Sequence, residues 1–319
     1  MPDTNPTVSV IMSVYNTECY ISEAILSILN QSLTDFEFII VNDGSTDNTQ
    51  TILNKFQKQD SRITVIWNET NLGLIKSLNK ALDTATGKYI ARMDADDISL
   101  PHRLAIQTEF LRSHSDIFLV GTATTIIDER GQVLGTTRVT TKPDAICAKL
   151  EKSNCLSHPS IMFLSEPFIR YRDKALHCED YDLYLRLLLA GKKLANLSEP
   201  LIKYRFIKQS ISFSNSFYAH KFALKMRHFY FQCKSTGWSD YDNFNPKTIL
   251  ELKPPKFSER LADERYINLL YELHNRGLLK KYAAKYLSQH GFFNKVAIYY
   301  LIACLPQRII RLMEKLHNR

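Results

Sequence analysis

The chain has 319 residues, of which 45% are hydrophobic and 23% are charged, so a folded core is expected and a wholly disordered chain is excluded. Its six cysteines form no Cys-x-x-Cys pair, a usage typical of reducing compartments and not of disulfide-stapled secreted proteins. The formal charge of +8 is uneven, because the segment from Lys221 to Arg319 carries 18 basic and 8 acidic residues. This basic segment predicts an anionic partner such as a membrane surface, with a solvated basic surface as the alternative.

Hydropathy along the chain predicts neither a signal peptide nor a membrane span. The segment from Met1 to Thr7 lacks the basic and apolar regions of a signal peptide. The longest apolar run, from Val296 to Leu305, has ten residues, whereas a membrane-spanning helix needs about 20. We therefore expect a cytoplasmic protein that is not integral to a membrane.

Apolar runs and amphipathic segments alternate through the first 130 residues. The apolar runs are rich in β-branched residues and predict buried strands at Val8–Tyr15, Phe36–Val41, Ile63–Trp67 and Tyr89–Met93. The segments that follow these strands have the apolar spacing of helices, and one of them runs from about Leu72 to Ala85. Such alternation is typical of βαβ units, so we predict an α/β fold whose mostly parallel sheet is flanked by helices.

The pattern changes after residue 118. The sequence predicts a hairpin, a short strand, a helix and a last strand, at Phe118–Asp128 with Val133–Thr140, Pro159–Phe163, Tyr181–Leu189 and Leu201–Tyr204. From Tyr218 onward the chain is predicted to be helical. We therefore divide it into a catalytic α/β domain over residues 1–215 and a basic helical region over residues 216–319.

Polar clusters follow three of the predicted strands. Tyr15 and Asn16 follow the first strand, Asn42 and Asp43 the second, and the run from Asp94 to Asp97 the fourth. In α/β sheets ligands bind beyond the carboxyl ends of the strands. The sequence therefore predicts a site at this edge of the sheet.

The run Asp94-Ala-Asp96-Asp97 packs three carboxylates into four positions. Like charges repel and are costly to bury unless a cation compensates them, and Mg²⁺ or Mn²⁺ prefers such oxygen ligands. The alternative is an ordinary acidic turn. No glycine-rich phosphate loop is present, so a metal ion would have to meet any phosphate charge.

Two further acidic positions allow a structural and a functional interpretation. Asp43 lies in Asn42-Asp-Gly-Ser-Thr-Asp47, which is either a turn with a helix cap or a carboxylate that accepts the N–H of a base. Glu179 and Asp180 precede a predicted helix, where carboxylates cap the free N–H groups and are also held as rigidly as a general base requires.

Other kinds of site have weaker support. Cys155-x-x-His158 and His177–Cys178 have irregular spacing for zinc ligands, and core or loop residues are the simpler interpretation, with His158 facing the site as an option. No Gly-x-Ser-x-Gly elbow indicates a hydrolase triad. The basic residues form no recognisable nucleic-acid-binding motif, so no nucleic-acid partner is expected.

Four segments, in this order, resemble the motifs of family 2 glycosyltransferases with a GT-A fold: Val8–Asn16, Asn42–Asp47, Gly87–Asp97 and Glu179–Leu183. The resemblance covers roughly residues 6–212, and Asn71–Asp97 is most similar to bacterial enzymes that extend lipooligosaccharide, O-antigen or capsule chains. It implies an inverting enzyme that moves a hexose or N-acetylhexosamine from a UDP-sugar. The implied acceptor is a hydroxyl of a lipid-linked or surface-polysaccharide glycan.

The resemblance implies how the donor would be bound. Ser13, Tyr15 and Asp43 would hold the uracil, with Arg92 beside it. Asp94 would contact the ribose or the metal ion.

The resemblance also implies the catalytic residues. Asp96, with Asp94, would bind the Mn²⁺ or Mg²⁺ ion that bridges the diphosphate. Asp180 would be the base that deprotonates the acceptor hydroxyl, and Glu179 would support it. His158 would line the pocket near the donor or the acceptor.

One segment departs from the family pattern. Many relatives have Tyr-Arg-x-His after the last strand, whereas this chain has Tyr204-Arg-Phe-Ile207. Arg205 keeps a positive group that could meet phosphate, whereas no metal or phosphate contact from a histidine is expected in this segment.

The end of the chain combines apolar residues with cations. The apolar set is Phe292, Phe293, Val296, Ile298, Tyr299, Tyr300, Leu301, Ile302 and Leu305, and the cations are Lys295, Arg308, Arg311 and Lys315. This composition is typical of a helix at a membrane interface, and packing on the catalytic domain is the alternative. Together with a lipid-linked acceptor, it predicts a peripheral protein on the cytoplasmic face of the inner membrane.

Two other functions compete with sugar transfer. A non-catalytic nucleotide-sugar or membrane-binding module would keep Asp43 and Asp96 without turnover, and the intact Asp180 argues against it. A phosphatase of the haloacid dehalogenase type would use Asp94 and Asp96 as nucleophile and acid. In such phosphatases the motif follows the first strand, whereas here it follows the fourth predicted strand.

Overall fold

The computed structural model describes residues 5–207, 215–254, 259–291 and 295–305. The strands of these residues are β1 (Val8–Val14), β2 (Phe36–Asn42), β3 (Ile63–Trp67), β4 (Tyr89–Asp94), β5 (Ile98–Ser99), β6 (Ile117–Ile127), β7 (Val133–Thr136), β8 (Met162–Leu164) and β9 (Lys193–Arg205). The helices are α1 (Ile21–Leu29), α2 (Thr49–Gln59), α3 (Leu74–Thr84), α4 (Arg103–Ser113), α5 (Pro143–Leu150), α6 (Glu179–Leu189), α7 (Ser216–Thr236), α8 (Lys247–Leu250), α9 (Glu259–Glu272), α10 (Arg276–His290) and α11 (Lys295–Cys304). A short 3₁₀ helix spans His158–Ser160.

The nine described strands form one sheet in the order β3-β2-β1-β4-β8-β6-β9-β5, with β7 paired to β6. Strands β1 to β4 pair in parallel, whereas β8 runs antiparallel to both β4 and β6. The predicted α/β fold with flanking helices and a helical C-terminal region is confirmed. Antiparallel pairing enters in the second half of the sheet, where β7 forms the predicted hairpin with β6.

The register of the parallel strands brings their carboxyl ends together. Ser13 on β1 lies opposite both Val41 on β2 and Asp94 on β4, and Val14 lies opposite Asn42. Polar residues that are far apart in sequence therefore meet at one edge, as the strand order predicts.

Alternate residues of the central strands pack on opposite faces of the sheet, as the two-residue period of a strand requires. Ile11 belongs to the core beneath α3 and α6, whereas Val10 and Met12 belong to the core beneath α1 and α4. Both faces are buried, which explains why β1 is largely apolar, with Ser9 and Ser13 as its two polar residues.

The C-terminal helices pack in two different places. Helix α7 buries Phe222, Met226 and Phe229 in the same core as α6. Helices α9 to α11 form a separate apolar cluster, which includes Ile126 and Leu134 of the β6–β7 hairpin. The division at residue 215 stays a prediction, and α7 packs with the α/β core that precedes it.

Among the described residues, no helix is both long enough and apolar enough to cross a bilayer. In α11, one face carrying Val296, Tyr299 and Ala303 is buried, whereas Ile298 and Leu301 are 58% and 63% exposed. Five residues of the predicted interfacial set lie outside the described residues, namely Phe292, Phe293, Arg308, Arg311 and Lys315.

Candidate active site

The loops after β1 and β2 form one rim of the site. The backbone N–H of Asn16 donates to Oγ of Ser45 at 3.0 Å, and Oδ1 of Asn16 accepts from the backbone N–H of Thr46 at 2.8 Å. Ser13 is half-buried beneath this rim, and Tyr15 is 38% exposed on it. An exposed aromatic ring beside a polar floor can stack on a flat ligand.

Asp43 is buried, and its carboxylate accepts hydrogen bonds from other parts of the chain. Its Oδ1 accepts from Nδ2 of Asn68 and from the N–H of Leu72, both at 2.8 Å, and its Oδ2 accepts from the N–H of Gly73 at 2.9 Å. These bonds tie the end of β2 to the start of α3. Because a carboxylate oxygen can accept two hydrogen bonds, Oδ2 keeps capacity for one further donor.

Gly44 lets two loops approach closely. Its φ is +72°, and a Cβ at this position would lie 2.7 Å from the carbonyl carbon of Thr70. A side chain at this position would therefore clash with the loop after β3. Glycine lets that loop lie against Asp43.

Arg92 and Asp94 form a partly buried ion pair at the end of β4. Nη1 of Arg92 donates to Oδ2 of Asp94 and Nη2 lies beside Oδ1, both at 2.5 Å. Arg92 is 3% exposed, and the neighbouring carboxylate raises the pKa of its guanidinium despite burial. Its Nε is buried without a hydrogen-bond partner among the described residues.

Asp94, Asp96 and Asp97, here named the acidic trio, come together as the sequence predicts. One carboxylate oxygen of each lies within 4.8 Å of the others. Burial and the charge of Asp94 raise the pKa of Asp96 to about 6, and the same causes raise the pKa of Asp97 well above its usual range. Negative charge on these three carboxylates is therefore costly, and a bound cation would relieve that cost.

Asp97 shows that the trio fits a metal ion. Its Oδ1 accepts from the backbone N–H of Arg205 at 2.8 Å, whereas its Oδ2 is buried with no hydrogen-bond partner in the described part of the chain. A buried, unpartnered carboxylate oxygen beside two other carboxylates is the donor set that Mg²⁺ or Mn²⁺ takes.

The guanidinium of Arg205 is largely used within the chain. Its Nε donates to the carbonyl oxygen of Asp96 at 2.8 Å, and its Nη2 donates to Oε2 of Glu23 at 2.6 Å. Its Nη1 lies 3.3 Å from the carbonyl oxygens of both Asp128 and Glu129. The contact of this residue with phosphate stays a prediction, and its present contacts fix the loop that carries the acidic trio.

Glu179 and Asp180, here named the α6 carboxylates, lie in the first turn of α6. The helix begins two residues earlier than the sequence predicts. The N-terminal end of a helix favours negative charge, which steadies both side chains.

The two α6 carboxylates differ in their surroundings. Glu179 is 8% exposed, and burial followed by the charge of Asp180 raises its pKa to about 7. Asp180 is half-buried, and burial likewise raises its pKa. Oδ1 of Asp180 accepts from the N–H of Tyr181, and Oδ2 accepts from Nδ2 of Asn154, each at 2.7 Å.

His158 lies behind the α6 carboxylates. Its Nε2 is 2.8 Å from the hydroxyl of Tyr171, and its Nδ1 is 3.8 Å from Oε1 of Glu179. Burial and the charge of Arg92 hold the pKa of His158 well below its usual range, so the imidazole is neutral. The predicted position of His158 at the pocket stays a prediction, since the ring is 9% exposed.

Arg92 connects the two groups of carboxylates. Its positive charge acts on Asp96 and Asp97 of the acidic trio and on both Glu179 and Asp180. The two groups therefore lie within electrostatic reach of the same guanidinium, although about 80 residues separate them in the sequence.

Three residues of this site were not predicted from the sequence. Tyr171 and Tyr184 lie behind Glu179, and the hydroxyl of Tyr184 is buried without a partner among the described residues. Asn154 contacts Asp180 from an irregular loop. Only the position of Tyr184 on the same helix, one turn after Asp180, gave a usable signal.

A family model described as "Glycosyl transferase family 2" matches residues 9–177, which is more than half of the chain. The chain belongs to glycosyltransferase family 2. The match confirms the family that the four motifs of this family 2 glycosyltransferase indicate.

Curated relatives agree with the family. A glycosyltransferase of Methanocaldococcus jannaschii is 40% identical over 63% of this chain and 71% of its own length. The O-antigen biosynthesis glycosyltransferase WbnJ of Escherichia coli is 34% identical over 70% of this chain and 88% of its own length.

Solved structures of low identity share the fold. TarS 1-349 of S. aureus, solved in complex with UDP-GlcNAc, is 19% identical with a TM-score of 0.54, over 93% of this chain and 79% of that one. The mannosyltransferase PcManGT of Pyrobaculum calidifontis, solved with GDP-Man and Mn²⁺, is 19% identical with a TM-score of 0.52, over 95% of this chain and 80% of that one.

Proposed function

We propose that this family 2 glycosyltransferase moves a hexose or N-acetylhexosamine from a UDP-sugar to a glycan hydroxyl, with inversion at the anomeric carbon. The observation that carries the proposal is that two unlike carboxylate groups, the acidic trio and the α6 carboxylates, lie within electrostatic reach of the same residue, Arg92. The acidic trio suits a divalent cation, and the α6 carboxylates suit the transfer of a proton.

The donor would lie along the carboxyl ends of β1, β2 and β4. Tyr15 and Ser13 would hold the uracil, and the remaining acceptor capacity of Asp43 Oδ2 suits the N–H of that base. Arg92 would lie beside the nucleotide while it orients Asp94 for the ribose or the metal ion.

Asp96 and Asp94, joined by Asp97, would hold Mn²⁺ or Mg²⁺. Such an ion neutralises the charge of a departing diphosphate, which is the electrophilic half of this chemistry. A structural neighbour was solved in complex with GDP-Man and Mn²⁺, which supports the choice of a divalent ion.

Asp180 would act as the general base. It accepts the proton of the acceptor hydroxyl while that oxygen forms a bond to the anomeric carbon. The bond between that carbon and the diphosphate oxygen breaks on the opposite face, and the bonding electrons leave with the diphosphate. Glu179, with its pKa raised to about 7, would support the base from behind.

The acceptor would be a lipid-linked or surface-polysaccharide glycan. A relative named for O-antigen biosynthesis supports this class of acceptor. The exposed Ile298 and Leu301 on α11, beside a basic segment, support a peripheral position at the cytoplasmic face of the inner membrane.

A screen for UDP release tests this proposal. Purified protein is incubated with Mn²⁺ and, separately, UDP-GlcNAc, UDP-GalNAc, UDP-Gal and UDP-Glc, with and without EDTA. We expect slow release of UDP from one donor, abolished by EDTA. If no donor is consumed while UDP still binds, the non-catalytic module becomes the better account.

A further inference from the structure

Among the described residues, Asn154 is the side chain that hydrogen-bonds to Asp180. Asn154 lies in the loop between α5 and the 3₁₀ helix, and its Nδ2 donates to Oδ2 of Asp180 at 2.7 Å. Asn154 is exposed, whereas Asp180 is half-buried. The exposed amide of Asn154 thus contacts a carboxylate that is itself partly open to solvent.

The orientation of the Asn154 amide is fixed by a second bond. Its Oδ1 accepts from the backbone N–H of Leu156 at 3.1 Å. Because the oxygen already faces Leu156, the NH₂ group is left to face Asp180. The hydrogen-bond pattern thus determines which end of the amide meets the carboxylate.

The loop that carries Asn154 is anchored to two helices. The hydroxyl of Tyr181 on α6 donates to the carbonyl oxygen of Leu150 at 2.6 Å. On α7, the hydroxyl of Tyr230 donates to Oε1 of Glu151 at 2.8 Å, and Lys234 pairs with the same carboxylate. Asn154 is therefore an exposed residue in a loop whose start is fixed by contacts with α6 and α7.

The other groups around Asp180 act on its charge in opposing directions. Burial raises its pKa, whereas the bonds from Asn154 and the Tyr181 N–H and the charge of Arg92 lower it. The titratable and charged groups that face it are Cys178, Glu179 and Tyr184 around α6, Tyr171 from the preceding segment, and Arg92 from β4.

We propose that Asn154 is a positioning residue for the catalytic base: its amide holds Oδ2 of Asp180, keeps the carboxylate ionised and leaves the remaining lone pairs for the acceptor hydroxyl. This inference rests on the proposed role of Asp180. It assigns a function to a loop residue that no sequence motif marks.

The pH profile of turnover separates this role from a structural one. With the UDP-sugar that gives Mn²⁺-dependent UDP release, we expect Asn154→Ala to move the acidic limb of kcat upward by about one pH unit, the worth of a hydrogen bond to a charged group. Asn154→Asp, which places a second carboxylate beside the base, should move the limb further in the same direction. Ser153→Ala, the exposed neighbour, should superimpose on the wild type.

An NMR titration of the full-length protein tests the contact without turnover. The side-chain amide protons of Asn154 should shift as Asp180 titrates, and this dependence should vanish in Asp180→Asn. The inference is overturned if the amide is insensitive to pH, or if Asn154→Ala keeps the wild-type profile while Asp180→Asn is inactive. Full turnover by Asp180→Asn would instead remove the base itself, and with it the proposed mechanism.

Discussion

The two carboxylate groups of the site use the same residue types in opposite ways. The acidic trio brings three side chains within 4.8 Å, and one buried oxygen has no partner among the described residues. Asp180, in contrast, has a donor on each oxygen and lies at the N-terminal end of a helix. The unpartnered oxygen of the trio suits a metal ligand, whereas the donors on Asp180 favour its charged form.

Arg92 shows why the two groups do not become equivalent. Its guanidinium is bidentate on Asp94, so it lowers the repulsion within the trio by contact. It acts on Asp180 only through space. In the proposed mechanism, this difference in environment assigns metal binding to the acidic trio and proton transfer to Asp180.

Removal of the base should have the largest effect. Asp180→Asn keeps the shape of the side chain but cannot accept the acceptor proton, so kcat should fall by roughly 10²–10⁴-fold. UDP-release assays at saturating donor measure this effect. Asp173→Asn, an exposed carboxylate a few residues earlier, is the matched control and should retain turnover.

Removal of a trio carboxylate should abolish stabilisation by metal. In the wild type, Mn²⁺ at 100 times its Kd should add about 2.7 kcal/mol to the free energy of unfolding, whereas Asp96→Asn should gain little. Thermal unfolding with and without Mn²⁺ checks this. Asp116→Asn, from an exposed pair with Lys193, should respond like the wild type. An equal response in Asp96→Asn would mean that the metal ligand lies elsewhere.

The raised pKa of Glu179 should make the free energy of unfolding depend on pH. A carboxyl group with a pKa raised from 4.5 to about 7 contributes stability below its unfolded pKa and loses it as pH rises through the folded pKa. Glu179→Gln should therefore be more stable than the wild type at about pH 8, by a few kcal/mol, and similar to it at about pH 4. Urea unfolding at both values measures the difference, and a variant that is less stable at the higher pH would contradict this account.

Substitutions on the exposed face of α11 should have the smallest effect. If this face binds the membrane as proposed, replacing Ile298 and Leu301 with serine should weaken binding to anionic vesicles by about tenfold, because two exposed apolar side chains would lose contact with lipid. Sedimentation with vesicles measures this. Val133→Ser, at a 53% exposed position on β7, is the control. Unchanged binding in the double variant would place the lipid contact elsewhere.

The sequence predicted the strands of the parallel half and the position of the acidic trio, because buried strands have continuous apolar runs and polar residues mark their ends. It underestimated β9, which runs from Lys193 to Arg205 and not from Leu201 to Tyr204. The segment Ser198-Glu-Pro200 interrupts the apolar pattern there, and pairing with β6 overrides it.

The partners of the site residues could not be predicted. The bonds that Asp43 accepts from the loop after β3, and those that Arg205 donates to carbonyl oxygens, depend on distant segments meeting in space. Asn154 lies in a loop without periodicity, and only its contact with Asp180 distinguishes it.

Calorimetric titration of UDP, with and without Mn²⁺, into Asp96→Asn and Asp180→Asn tests the division between the two groups most directly. The account predicts that Asp180→Asn binds UDP like the wild type, with the same dependence on Mn²⁺, whereas Asp96→Asn loses that dependence. If Asp96→Asn kept Mn²⁺-dependent binding and Asp180→Asn lost it, the roles assigned to the acidic trio and to the base would be contradicted.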